Sequence, residues 1–377
     1  HRKRLGMKFN TTGSQRGLNQ VAHWDNMSVF VENVGDPNPL WRDEEHARST
    51  RYGTLPAPPA FLLSVWPGAV MHGLPGVQAM FGGAAYEFYK PVLDGDKITV
   101  ECTFADLVEK SSAFSPLWLI EYYDSLYYNQ RGELLAKARS HMLRWERSEI
   151  DGGLKRTDKA KQAALPHHWT EEEIRQIEDE VLAEVDNIRG ATPRYWEDVS
   201  EGETLPDLVR GPRRLFDAVA EGVAMTRWLC GPVLLAELQR HPGRSMLHPE
   251  SKAHEDLMVA GFDLIAAQHL GFPHSPDIGL VRQYLGMEAV IDWMGDDGWL
   301  KRFSSQLRRP VYISDVIRIK GKVTRKYIDE DGEHCVDIEQ STMNQRGDDV
   351  MPGQVTVALS SREKGTWPVS KRVPAKG

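Results

Sequence analysis

The sequence predicts an α+β fold built from an internal duplication, and two observations carry that reading. The first is a pair of matched landmarks. Lys90-Pro-Val-Leu-Asp-Gly-Asp96 is followed by Asn129-Gln-Arg-Gly-Glu133, and Arg309-Pro-Val-Tyr-Ile-Ser-Asp315 is followed by Asn344-Gln-Arg-Gly-Asp348. The copies are offset by 219 residues at the basic-Pro-Val step and by 215 at the Asn-Gln-Arg-Gly step, which marks a repeated module. The second is element order. In each half a helix-patterned region precedes several runs of strand length, the arrangement of a sheet packed on helices.

Residues 1–20 are polar and basic, with Gly6, Gly13 and Gly17, and are expected to form a mobile arm. The N-terminal domain is expected over 21–147. It opens with a helix over about 23–34, then a turn forced by Pro37 and Pro39, then a short helix over 43–48 with acidic residues in its first turn. An apolar helix follows Ala57-Pro-Pro-Ala-Phe61 and is interrupted by the Gly/Pro-rich passage 67–76. From Ala84 the pattern becomes strand-like, with β-rich runs at 98–104, 117–123 and 138–145. Asn129-Gln-Arg-Gly132 reads as a hairpin turn in which Gly132 takes the positive φ.

Residues 148–192 break the composition and read as a linker. Within it a polar helix covers 170–184, with Thr170 and Glu173 at capping-box spacing, and its charge suits a connector lying across the surface. The C-terminal domain is expected over 193–365. Its opening, 193–206, reads as strand and turn. Helices are expected at about 215–240, 253–270 and 279–294, and strands begin at Gln306 and continue at 316–323, 335–339 and 354–359. Residues 366–377 form a tail.

Composition bounds the function. A chain of 377 residues is long enough for two or three domains with cores of their own, and its 41% hydrophobic and 27% charged shares are those of a soluble globular protein. The net charge of −8, with scattered Lys and Arg, argues against nucleic acid as a partner and leaves room for a local basic groove. No apolar run reaches the roughly 20 residues of a membrane span, so no membrane partner is expected. No apolar stretch follows the basic first residues, so a secretory signal is not expected either. Cys102, Cys230 and Cys335 are too few and too far apart for a disulfide framework or a zinc site. No metal is expected, and the expected compartment is the cytoplasm.

Gly35-Asp-Pro-Asn-Pro-Leu40, Ala57-Pro-Pro-Ala-Phe61 and Pro91-Val-Leu-Asp-Gly-Asp96 resemble segments of the MaoC-like acyl dehydratases, relatives of the (R)-specific enoyl-CoA hydratases. Pro193-Arg-Tyr-Trp-Glu-Asp-Val199 and Asp292-Trp-Met-Gly-Asp-Asp-Gly-Trp-Leu300 are similar to the second half of two-domain members. The resemblance covers about 30–145 and 190–362. It implies a double hot-dog fold, in which two antiparallel sheets each wrap a central helix and join edge to edge. It also implies a hydratase or dehydratase that moves water across the α,β double bond of an acyl-CoA or acyl-carrier thioester, here with a bulky or branched acyl group. No redox cofactor is implied, because coenzyme A enters as part of the substrate.

In that family an Asp and a His act on one water, while a backbone N–H at the start of the hot-dog helix holds the thioester oxygen. Carried onto this chain, Asp36 and Asn38 match the motif. Trp41 stands at the histidine position, where an indole cannot exchange a proton, and Pro59 stands where a glycine N–H is expected. In the second half the histidine position falls on Gly261, and Gly279 remains able to offer the helix-start N–H.

Each candidate has two readings. Asp36 is an acid/base group or a turn cap, and Asn38 orders the same turn or touches ligand. Trp41 is core or a wall of the acyl tunnel. His72 lines the acyl pocket or is structural, and His254 replaces the lost base or lies on a charged surface. Asp277 is a second acid/base candidate or a helix cap, with Arg282 beside it. Asp292, Asp296 and Asp297 suggest an exposed turn. Arg302, Arg308 and Arg309, with Lys301, are either a site for the coenzyme A phosphates or a solvated strand edge. The leading expectation is catalysis by Asp36 or Asp277, with Gly279 as oxyanion donor. The alternatives are a catalytically silent acyl-thioester-binding protein or partner subunit, and a thioesterase. Because the duplication pairs two sheets within one chain, a homodimer or larger homo-oligomer is optional.

Overall fold

The computed structural model describes residues 2–10, 18–66, 68, 76–111, 117–146 and 165–365. In the first half the helices are α1 (Trp24–Val34), α2 (Pro39–Arg42), α3 (Glu44–Ser49) and α4 (Phe61–Val65). The strands are β1 (Lys8–Asn10), β2 (Val77–Phe88), β3 (Thr99–Lys110), β4 (Trp118–Tyr128) and β5 (Leu134–Glu146). A connector carries α5 (Glu171–Leu182). The second half contains β6 (Leu208–Arg210), α6 (Leu215–Met225), α7 (Gly231–Arg240), β7 (Ser245–Leu247), β8 (His254–Asp256), α8 (Leu264–His269) and α9 (Leu280–Met294). It closes with β9 (Trp299–Gln306), β10 (Ile317–Ile328), β11 (His334–Asn344) and β12 (Gly353–Ala358).

Ten of the strands form one antiparallel sheet in the order β1-β3-β4-β5-β2-β9-β12-β11-β10-β6. Read inward from its two edges, β3-β4-β5-β2 matches β10-β11-β12-β9, with β1 and β6 as short additions. The duplication is therefore a property of the sheet itself. The halves meet where β2 pairs with β9, from Gly83↔Gln306 to Glu87↔Arg302. Gly83 is required at this seam: its φ is +133°, and a Cβ there would lie 2.2 Å from the carbonyl oxygen of Ser305. One hydrophobic cluster runs through both halves, so they share a core.

The repeated sequence landmarks build the same device twice. The Oδ1 of Asn129 accepts from the N–H groups of Arg131 and Glu133, and that of Asn344 from those of Arg346 and Asp348. The basic residue of each basic-Pro-Val step reaches the acid that closes the turn: Lys90 lies 2.5 Å from Glu133, and Arg309 lies 3.4 Å from Asp348. Each turn arginine then reaches a buried aspartate, Arg131 to Asp96 at 3.5 Å and Arg346 to Asp315 through two bonds of 2.6 and 2.5 Å. Even the glutamines agree. Gln130 accepts from the N–H of Lys97, and Gln345 from that of Val316. These are local hydrogen bonds dictated by residue type, which is why the repeat is visible in the sequence.

Several expectations are corrected. Within 1–20, Lys8–Asn10 is an edge strand on β3, and Phe9 packs against Tyr123 with ring centroids 6.5 Å apart. The region 253–270 is not one helix: it is β8, a 3-10 turn (Leu257–Gly261) and the short α8. Gln306 ends β9 instead of beginning the strands. The connector helix has the predicted Thr170/Glu173 capping box, yet the 3-10 turn after it (Ala183–Asn187) carries Glu184 into the interior. The two central helices are also unequal. Every residue of α9 is buried beneath the second half's sheet, whereas the first half's counterpart is α4, five residues long among the described residues.

Candidate functional site at the interface of the two halves

The central helix α9 is apolar apart from a few positions. Tyr284, Glu288 and Asp292 are spaced by four, so they share one face, and that face meets the turn after α1. Gly35 ends α1 with a φ of 78°, which swings Asp36 and Asn38 toward α9. The carboxyl of Asp36 is 2% exposed. Its Oδ1 accepts from the N–H of Asn38 at 2.8 Å, and its Oδ2 accepts from the hydroxyl of Tyr284. Asn38 caps α2 with its Oδ1 and donates its amide to Oδ1 of Asp292 at 2.9 Å. Arg210, at the end of β6, donates to Oε1 of Glu288 at 2.7 Å, to Oε1 of Glu184 at 2.7 Å, and to the second oxygen of Glu184. The cluster thus joins first half, connector and second half.

Burial sets the electrostatics. It pushes Asp36 up to about 6, against the hydrogen bonds from Tyr284 and Asn38 and the charge of Arg210. It pushes Glu288 and Asp292 well above the usual carboxylate range. Arg210 opposes the shift at Glu288, and the charge of Asp36 adds to both shifts. Burial and the adjacent Asp36 also raise the Tyr284 phenol. Burial works against the charge of Arg210, but Glu288 and Glu184 outweigh it and raise its value. A carboxyl that titrates near neutrality is suited to acid–base exchange.

The start of α9 supplies a second element. No side chain caps it at Gly279, and the first-turn N–H groups of a helix have no partner within the helix. Its positive end favours a partial negative charge. A Cβ at Gly279 would lie 2.3 Å from Cδ1 of Leu307, so a side chain there requires Leu307 to move. Tyr284 is five residues further on, about 7.5 Å along the axis.

Residues 18–138 match the family described as the FAS1-like dehydratase domain region. A UPF0336 protein of Parafrankia is 33% identical over 92 residues, covering 22% of this chain and 60% of that protein. A Thermomonospora curvata protein named "Probable enoyl-CoA hydratase alpha subunit" is 29% identical over 146 residues, covering 33% of this chain and 43% of that one. The chain therefore spans less than two thirds of the length of either relative. Among solved structures, a MaoC-like dehydratase superposes over 95% of this chain and 99% of its own, with a TM-score of 0.66 and 14% identity. A Mycobacterium tuberculosis protein described as a double hot-dog superposes over 94% of this chain and 96% of its own, with a TM-score of 0.52 and 11% identity. The chain has the double hot-dog fold of these structures, and its residues 18–138 carry the FAS1-like dehydratase region.

Against the MaoC-like motif, Asp36 and Asn38 stand where the sequence puts them, and Trp41 is buried in the core at the histidine position. The second half has its own copy of the turn, which sequence reading missed. Oδ1 of Asp256 accepts from the N–H of Met258 as Asp36 does from Asn38, and Asp263 caps α8 as Asp43 caps α3. Asp256 is paired with Arg244, and Gly261 occupies the position equivalent to Trp41. Among the described residues no histidine is hydrogen-bonded to Asp36 or to Asp256.

Other expected site residues are dispersed. Asp277 does not cap α9. Its Oδ2 accepts from Nε of Arg282 at 2.6 Å and its Oδ1 from the N–H of Val311 at 2.9 Å, while Arg282 also holds the carbonyls of Arg309 and Val350. This pair is a structural clamp, and its oxygens are committed. His254 is exposed on β8, 3.4 Å from the Ser245 hydroxyl, and does not reach α9. His72 lies outside the described residues. Arg302 and Arg308 are exposed, Arg309 belongs to the duplicated turn, and Lys301 is buried against Asp329 and Glu333. The acidic stretch expected as an exposed turn is turned inward: Asp292 and Asp296 are buried, and Asp296 lies 2.8 Å from Nε2 of His46. The residues that sequence reading overlooked are Tyr284, Glu288, Arg210, Glu184 and His46. The available signal was the four-residue spacing of Tyr284, Glu288, Asp292 and Asp296.

Proposed function

We propose that the protein is a hydratase or dehydratase of an acyl-CoA or acyl-carrier thioester with a bulky or branched acyl group, with Asp36 as its acid–base group. The observation that carries this reading is the hydrogen bond from Tyr284 to Asp36 beside the uncapped start of α9. The thioester oxygen takes the N–H of Gly279 at the start of α9, which stabilises the enolate-like charge that develops on it. Asp36 as carboxylate accepts a proton from water as the oxygen bonds to Cβ, then delivers a proton to Cα. Dehydration runs the same steps backward. Tyr284 holds the carboxylate in place throughout and takes the orienting role of the motif's histidine. Leu307 touches Gly279, so the exposed Arg308 next to it, with Arg302, is the candidate contact for the coenzyme A phosphates. The name of the Thermomonospora curvata relative supports the substrate class.

A second reading is favoured by specific observations. Both oxygens of Asp36 are engaged, and Trp41 replaces the motif's histidine. Helix α6 exposes Leu215, Phe216, Val219 and Val223 along one side, with Phe216 81% exposed. A silent acyl-thioester-binding partner subunit accounts for these features, and "alpha subunit" in the relative's name agrees with it.

Incubation with a panel of 2-enoyl- and 3-hydroxyacyl-CoA thioesters separates the readings when the conjugated double bond and free thiol are followed together. Loss of the double bond without thiol release, abolished by Asp36→Asn, is the expected result. Thiol release instead identifies a thioesterase. Tight acyl-CoA binding with no turnover of any substrate overturns the enzyme reading in favour of the partner subunit.

A further inference from the structure

Two groups of three side chains with metal-binding atoms occur among the described residues. They are Asp329, Glu333 and Cys335, and Glu184, Glu288 and Asp292. In each group one ligand atom from every residue lies within 4.8 Å of the others. The first group already holds a cation. Lys301 bonds Asp329 and lies 2.8 Å from Glu333 and 3.5 Å from the Cys335 sulfur, so its ammonium occupies the centre.

The second group is only partly satisfied. Arg210 takes both oxygens of Glu184 and Oε1 of Glu288, and Asn38 takes Oδ1 of Asp292. The remaining oxygens, Oε2 of Glu288 and Oδ2 of Asp292, have no hydrogen-bond partner, although their residues are 2% and 5% exposed. Tyr284 does not reach them, because its hydroxyl is directed to Asp36. With Asp36, four carboxyl groups face a single guanidinium. Buried carboxylates without a partner are costly, and they persist when they are paired, protonated or bound to metal. A narrow crevice lined by Asn187, Asp207 and Leu208 borders Glu184 and Asp292.

We propose that the unpartnered oxygens of Glu288 and Asp292, with a lone pair of Glu184 that its bonds to Arg210 leave free, bind one hard divalent cation, Ca²⁺, Mg²⁺ or Mn²⁺. The donors are all carboxylate oxygens, with no nitrogen or sulfur, which selects this class over zinc or copper. Oxygens within 4.8 Å of one another suit metal–oxygen distances of about 2.0–2.6 Å. The ion ties the connector, through Glu184, to the central helix of the second half. It adds the positive charge that Arg210 alone does not supply.

The test uses the full chain, stripped with a chelator and dialysed separately against Ca²⁺, Mg²⁺ and Mn²⁺, with bound metal and melting temperature measured. The expected result is one cation per chain for at least one of the three, with a higher melting temperature than the stripped protein. Asp292→Asn keeps the acceptor for Asn38, so it is expected to melt like the stripped wild type and to bind the cation at least tenfold more weakly. Glu288→Gln serves as the second variant with the same expectation, and Asp329→Asn, in the lysine-filled group, is expected to bind like wild type. Failure of the wild type to retain any of the three cations, or equal binding by wild type and Asp292→Asn, overturns the proposal. No step of the test depends on enzymatic activity.

Discussion

The hydroxyl of Tyr284 donates its hydrogen to Oδ2 of Asp36, joining the central helix of one half to a turn of the other across 248 residues of sequence. Both groups are buried; burial raises Asp36 to about 6, the bond from Tyr284 opposes that rise, and it helps to lock the halves together.

Replacing Tyr284 by Phe isolates that bond. The ring still packs on Phe30, whose centroid lies 5.5 Å away. Without its donor, Asp36 is expected to titrate above its present value of about 6. Leaving a buried carboxylate short of a donor costs about 1–3 kcal/mol at pH 8 and less at pH 5, where the group is protonated. Urea unfolding at the two pH values measures both effects; an equal loss at each would contradict the assignment.

Asp36 also predicts how stability depends on pH. Its folded value of about 6 lies above the ordinary 3.8 of the unfolded chain. Its contribution is therefore fully present below pH 4 and is lost as pH rises through 6, a change of about 3 kcal/mol. In the metal-free protein Glu288 and Asp292 are shifted in the same direction and add to the trend. Asp36→Asn keeps an acceptor for Tyr284 and is expected to flatten the fall in stability between pH 5 and 8 without abolishing it. Thermal melts across this range provide the measurement.

The duplicated turns differ in one measurable respect. Arg346 makes two short bonds to Asp315, which is buried, whereas Arg131 is half exposed and approaches Asp96 at only 3.5 Å. Arg346→Ala is expected to cost about 3 kcal/mol, because it removes two short bonds from a buried carboxylate. Arg131→Ala is expected to cost less than about 1 kcal/mol. Denaturant midpoints of the two variants compare the copies directly, and equal losses would mean that the exposure of the arginine and the closeness of its bonds do not control the outcome.

The seam between the halves rests on Gly83. A Cβ there meets the Ser305 carbonyl, and φ is +133°, so Gly83→Ala must displace β2 from β9. The expected loss is at least about 2 kcal/mol from strain of this kind, with protease sensitivity appearing at the β2–β9 junction. Gly95→Ala is the comparison: its φ is positive too, but open space surrounds it, and its loss is expected to be smaller.

The double module and the turns that close its hairpins were legible in the residue order. The Asn-Gln-Arg-Gly-acid turn, the basic residue that reaches its acid and the Thr170/Glu173 cap all depend on residues a few positions apart or on a repeated pattern. Such local chemistry is readable without coordinates. Asp36 and Asn38 were readable for the same reason, because their turn is a short motif. The tertiary structure alone decided what faces them. On a free helix the spacing of Tyr284, Glu288 and Asp292 would mark a solvent side, and only the packing of α9 against the first half turns that side inward. The same packing drew Glu184 and Arg210 into the cluster from the connector and an edge strand. It committed Asp277 to Arg282 and left His254 on the surface, because burial and ion pairing depend on neighbours that the chain brings together only when both halves have closed on one core.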